Sequence, residues 1–142
     1  MSDANEQPQQ PPQPQQSVDV ITLRKSQAGM RFIAQMHIYN VANTDRLRTF
    51  IADSYHENLL AQSSADDRLN ALLAQAADIG KVKVKQVLAA NEYHVAVIME
   101  AEKQPGYFYT EVKVEEDYPH KIIHYMFQPM QPINTSQSEA DQ

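Results

Sequence analysis

The sequence predicts an α+β domain in which three N-terminal helices pack on one face of a curved four-stranded antiparallel meander. Three observations point to this. From Gly80 to Pro129 apolar and polar residues alternate in four runs separated by short turn clusters, the period-two signature of half-buried strands. Before Gly80, apolar residues recur at helical spacing instead. The helical half also precedes the strand half entirely, an order that fits helices laid on an antiparallel sheet rather than alternating βαβ units.

Residues 1–17 are mostly Gln and Pro, and such composition buries too little apolar surface to order itself. They read as a disordered tail. Pro8, Pro11 and Pro14 are spaced as Pro-x-x-Pro, a weakly specific pattern that also fits a tether to a partner. The folded domain is expected over residues 18–130, with residues 131–142 a second polar tail.

Helix one is predicted from Thr22 to Val41, with Leu23, Met30, Ile33, Met36, Ile38 and Val41 on its apolar side. Gly29 weakens its interior, and either allows close packing or marks a break. Asn43-Thr44-Asp45 supplies cap residues for helix two, Asp45 to Tyr55, which carries Leu47, Phe50 and Ile51. Ser64-Ala65-Asp66-Asp67 resembles a capping box for helix three, whose inner stripe is Leu69, Leu72, Leu73, Ala76 and Ile79. Gly80 closes it.

The strands are Lys81–Ala90, Tyr93–Glu102, Tyr107–Glu116 and Lys121–Gln128, joined at Asn91-Glu92, Lys103–Gly106 and Asp117–His120. Symmetric hairpins place Ala90 opposite Tyr93, Glu102 opposite Tyr107 and Glu116 opposite Lys121. One face is then Val82, Val84, Gln86, Leu88; Val95, Val97, Met99, Ala101; Phe108, Thr110, Val112, Val114; Ile123, Tyr125, Phe127. It is almost wholly apolar, and a one-residue slip would put part of it in water. On the other face Lys83 meets Glu100 and Lys81 meets Glu102, opposed charges worth about 0.2–1 kcal/mol each.

At 142 residues the chain buries roughly 68–70% of its unfolded surface, enough for one real core. It has no cysteine, which excludes disulfides and thiolate metal sites. No apolar run approaches the ~20 residues of a membrane span. No apolar leader is read at the N-terminus, so the expected compartment is the cytoplasm. The net charge is −6, but Asp3, Glu6, Glu139 and Asp141 lie in the tails and the remainder carries only −2. That balance gives no nucleic-acid surface.

The order of elements, together with Arg31-Phe32-Ile33, Asn43-Thr44-Asp45-Arg46-Leu47, Phe50-Ile51, Asp67-Arg68-Leu69, Ile79-Gly80 and Tyr118-Pro119-His120-Lys121-Ile122, resembles the nuclear transport factor 2-like (polyketide-cyclase-like) cone fold. It is most similar to the small cone domains that precede the catalytic domain of some bacterial serine hydrolases and peptidases. The likeness runs from about Ser26 to Pro129 and brings no hydrolase nucleophile with it. The resemblance implies a dimer joined through the outer sheet face. For some members of the fold it also implies an isomerase, cyclase or dehydratase site inside the cone.

Such an enzyme needs a general base and an oxyanion donor in an apolar pocket. The predicted inner face carries no carboxylate and no His. Tyr39, Gln86, Thr110 and Tyr125 are its candidate ligand-pocket residues, and Asp53 with Tyr55 or Tyr125 is the alternative acid/base set. The competing reading, in which Asp53 is solvent-exposed and the tyrosines are core residues with satisfied hydroxyls, is adopted. His120 and His124 lie about 13 Å apart on an extended chain, too far to share one ion. His94 is expected opposite Glu115, and His124 opposite Lys113. There is no Gly-rich phosphate loop and no Gly-x-Ser-x-Gly elbow, so neither cofactor nor metal is expected. The outer face is the candidate interface, through Ile98, Tyr107, Tyr109, Ile122 and Met126. The function expected is a non-enzymatic module that forms homodimers through that face or holds a small apolar ligand.

Overall fold

The structure, a computed structural model, describes residues 20–130; the two tails read from the sequence lie outside the described residues. The chain is α+β, with its helices before the sheet and packed against it. A helical turn at residues 20–24 leads into α1 (Gln27–Asn40), α2 (Thr44–Ser54), α3 (Glu57–Gln62) and α4 (Ala65–Ile79). The strands β1 (Val82–Asn91), β2 (His94–Ala101), β3 (Tyr107–Val114) and β4 (Ile122–Pro129) follow, paired in sequence order as an antiparallel meander.

The helix expected over 22–41 is two segments. Ser26 caps α1 by accepting a hydrogen bond from the Gly29 amide at 2.8 Å, which interrupts the first segment at Lys25-Ser26. A Cβ on Gly29 would stand 1.8 Å from the Leu23 carbonyl oxygen, so only glycine lets the two segments fold this closely. Asn43 and Ser64 cap α2 and α4 as their side-chain chemistry dictates, and Gly80 ends α4 with φ +77°. The short α3 has no counterpart in the sequence reading. Only Leu59 and Leu60 of it are partly buried against the core, an adjacent pair too short to show helical spacing; its C-terminal end is held by Arg68, which donates to the carbonyls of Leu59 and Ser63.

The sheet follows the predicted register in part. From Phe108↔Pro129 to Lys113↔His124, β3 and β4 pair as expected. A bulge then sets Val114 opposite Ile122, which turns Ile122 into the core at 1% exposure and Ile123 outward at 44%. This reverses the expectation for both residues, and Ile122 cannot serve on the outer face. β1 meets β2 as expected at Val82↔Ala101, Lys83↔Glu100 and Val84↔Met99. Two bulges follow, because β1 has two more residues than its partner over the same span. They bring Val87 inward beside Val97 and leave Gln86 and Leu88 exposed. The β2–β3 pairing is displaced by two residues from expectation, with His94 opposite Lys113 rather than Glu115. A displacement of two keeps every side chain on its predicted face.

The core lies between the helices and the inner sheet face. Phe32, Ile38 and Tyr39 of α1, Leu47 and Ile51 of α2, and Leu69, Leu72 and Ile79 of α4 pack on Val95, Val97, Met99, Phe108, Val112 and Val114. Leu73 of α4 and Met30 of α1, expected inside, are exposed.

Candidate functional site

Two surfaces of the sheet were candidates, and the structure builds them very differently. On the inner side, α1 brings Gln35 and Tyr39 over β3 and β4. The Tyr55 hydroxyl donates to Gln35 Oε1 at 2.6 Å, and Gln35 is also hydrogen-bonded to Tyr125. The Tyr55 and Tyr125 rings meet edge to face with centroids 6.4 Å apart, and the Arg68 guanidinium lies over the Tyr55 ring at 5.4 Å. Tyr39 donates to the Gly80 carbonyl at 2.7 Å, and Thr110 to Met99 Sδ at 3.2 Å. Burial pushes the phenols of Tyr55, Tyr125 and Tyr39 above their ordinary range, so all three are neutral donors.

The space left among these groups is a cavity of about 30 Å³, lined by Tyr39, Thr110, Tyr125, Met36 and Phe127 among others. A water needs about 10–15 Å³ on this measure, whereas drug-sized ligands occupy sites of about 300–1,000 Å³. Three of the four predicted pocket residues therefore line the interior. Gln86 does not: the first β1 bulge pairs it with Ile98 on the other face. The alternative acid/base set is divided in the same way. Tyr55 and Tyr125 come together, but Asp53 is exposed on α2 and does not line the cavity, whose walls hold no carboxylate.

Arg31 reaches the cavity wall, but its guanidinium is engaged elsewhere. It donates to the Pro119 carbonyl at 2.7 Å, to the His120 carbonyl at 3.3 Å and to Ser54 Oγ at 3.1 Å. It thus ties α1 and α2 to the turn before β4, where Tyr118-Pro119 is cis and His120 has φ +58°. Its role is structural.

The outer face carries the other candidates. Ile98 and Tyr109 are directly paired across β2 and β3, Tyr107 lies opposite Glu100, and Met126 opposite Glu111. Tyr107 is 44% exposed, and the other three are half-buried. Partial burial and the neighbouring Glu111 push the Tyr109 phenol up. Around this apolar strip stand Lys83 and Glu100, 3.9 Å apart, and a cluster the sequence reading missed. His94 Nε2 and His124 Nε2 hold the two oxygens of Glu111 at 2.6 and 3.2 Å. Partial burial raises the Glu111 carboxyl, and the two histidine hydrogen bonds outweigh it, leaving a net downward shift. Among the described residues no group of three or more His, Cys, Asp or Glu is placed to hold a metal ion.

No described helix is long and apolar enough to cross a membrane. Comparison of the chain with known protein families, curated proteins and solved structures found no match. The class that fold and surfaces define is an α+β domain with a filled interior and a sheet face that no described helix covers.

Proposed function

We propose that this protein is a non-enzymatic assembly module that self-associates through the outer face of its sheet. The observation that carries the reading is the strip of Ile98, Tyr109, Tyr107 and Met126, which no described helix covers. Aromatic residues and Met are the types enriched at protein interfaces, and a polar rim around an apolar centre is the usual anatomy. Lys83, Lys113, Glu100 and the His94–Glu111–His124 cluster supply that rim. Its mixture of signs suits a two-fold contact, in which the same patch must complement itself.

The interior supports the same reading. A site for general acid/base chemistry would need a carboxylate or His in the cavity, and the space there fits a water or two. A small apolar ligand would have to displace Phe127 or Met36 from the cavity wall. The resemblance to nuclear transport factor 2-like cone domains favours a face-to-face dimer, and a cysteine-free chain suits the cytoplasm.

The test is Tyr109→Lys followed by sedimentation velocity at matched concentrations. The expected result is loss of the associated species with circular dichroism and thermal unfolding retained. A variant that sediments like the unaltered protein would sink the proposal.

A further inference from the structure

The two edges of the sheet are treated in opposite ways. At β1, Asn40 donates to the Val82 carbonyl at 2.8 Å and accepts from the Val82 amide at 2.9 Å. Its side-chain amide thus does what a neighbouring strand would do. β1 also carries Lys83 and Lys85 and two bulges, all devices that discourage strand addition. β4 has none of these beyond its first residues. Residues 122–129 contain no Lys, Arg, Asp or Glu, and the only bulge lies at the start of the strand.

The phase of the ladder shows what that edge offers. The Met130 amide donates to the Tyr107 carbonyl, which makes the Tyr107/Met130 pair a hydrogen-bonded one. In an antiparallel ladder such pairs alternate, so His124, Met126 and Gln128 turn their backbone groups toward β3. Tyr125 and Phe127 turn theirs outward, where the described sheet has no further strand. On the helix side of this edge is a groove of about 490 Å³ between β4 and α4, lined by Tyr55, Arg68, Gln75, Tyr125 and Phe127 among others.

We propose that β4 is a second self-association surface, on which two copies of the chain pair antiparallel about a two-fold axis through Met126. In this register Tyr125 exchanges both backbone hydrogen bonds with Phe127 of the second copy, and Phe127 does so with its Tyr125. Met126 faces Met126, and His124 faces Gln128, so no like charges are opposed. The register is fixed from both ends. A two-fold on Tyr125 would set Gln128 of the second copy, inside its β4, opposite Ile122, where residues 55–56 already occupy the edge through the Tyr55↔Ile122 bridge and the His56 amide on the Ile122 carbonyl; with the axis on Met126 only Met130, past the end of β4, comes to that position. A two-fold on Phe127 would set Pro129, which has no N–H, opposite Tyr125. This surface is the strand edge rather than the outer face; the two share only Met126, whose side chain belongs to the outer strip, and together they would build assemblies larger than a dimer.

The experiment is residue-resolved amide hydrogen exchange on the full chain carrying Tyr109→Lys, which removes association through the outer face and keeps the two ideas separable. The expected result is that the Tyr125 and Phe127 amides slow by about tenfold or more as protein concentration rises. Fast exchange at every concentration would overturn the proposal. Slow exchange independent of concentration would also overturn it, by placing a segment of the same chain on the edge. The register is checked with Met126→Cys in the same Tyr109→Lys chain, so that the outer face does not bring the thiols together; it is the sole thiol in a chain with no cysteine of its own. Non-hydrogen-bonded antiparallel partners lie about 4.5 Å apart at Cα, within disulfide reach. A covalent dimer on mild oxidation is expected, and its absence would contradict the axis at Met126.

Discussion

The two faces of this sheet come from the same four strands, and they solve opposite problems. On the inner face the hydroxyls and amides are neutral and bonded to neutral groups: Tyr55 and Tyr125 to Gln35, Tyr39 to the Gly80 carbonyl, Thr110 to Met99; the two cations that reach it, Arg31 and Arg68, direct their N–H groups to carbonyls and to Ser54. On the outer face charged and titratable groups stand among neutral ones such as Gln86 and Gln128, and meet in a pair and a triad. The cause is dielectric. Burying an unpaired charge costs far more than burying a hydrogen-bonded hydroxyl, so chemistry that responds to pH or to a partner's charge is left to the face that water reaches. The inner face makes the fold, and the outer face is the one proposed for recognition.

Core truncation should separate the faces most strongly. Ile51→Ala, at a fully buried position, is expected to cost about 2–5 kcal/mol in urea unfolding. Ile98→Ala, at concentrations dilute enough to favour the monomer, should stay within about 0.5 kcal/mol. Equal costs would break the contrast between the faces.

The next effect concerns the interior hydroxyls. Tyr55→Phe leaves Gln35 short of a partner and should cost about 1–3 kcal/mol, while Tyr109→Phe on the outer face should cost little. The same phenols set the alkaline limit. Their folded pKa values lie above the unfolded value of about 10. The folded state therefore holds protons that the unfolded state releases, and stability is full below that pH and falls as pH rises through it. Removing one buried phenol with Tyr55→Phe should make that alkaline loss shallower in a pH series of thermal melts.

The smallest effect belongs to Glu111. Its carboxyl sits below the ordinary range, so the stability it adds is full above the unfolded carboxylate pKa of about 4 and fades as pH falls through the folded one. Glu111→Gln should lower the neutral plateau slightly and leave stability at low pH nearly unchanged, which flattens the acid limb of the stability curve. An unaltered acid limb would mean that the two histidines add nothing to folding.

How far the sequence could be read depended on where the strands are regular. Alternation from Phe108 to Phe127 set the β3–β4 register, and that hairpin holds as far as His124. Ile122-Ile123 was illegible, because two identical neighbours give no signal as to which turns inward, and a bulge made the choice. Lys85 to Ala90 was illegible for a related reason: Val87 and Leu88 are both apolar, so the bulges exchange them without disturbing the composition of the face. Gln86 left the pocket by that exchange. The β2–β3 shift was invisible, since it moves residues by two, yet it places Glu111 diagonally from His94 and so assembles the triad. Tyr39, Thr110 and Tyr125 were found because their strands or helix kept the expected phase. Gln35 was missed, since a polar residue on a helix carries no mark of burial until its tyrosine partners are in place.

The most direct test of the outer-face account is the light-scattering mass of the unaltered protein and of Tyr109→Lys, measured side by side over a range of concentrations. The account predicts a mass at least twice the 16.1 kDa of the chain for the unaltered protein, and a smaller mass for the variant at the same concentration. A mass of 16.1 kDa for the unaltered protein at every concentration, or equal masses for the two proteins, would contradict it.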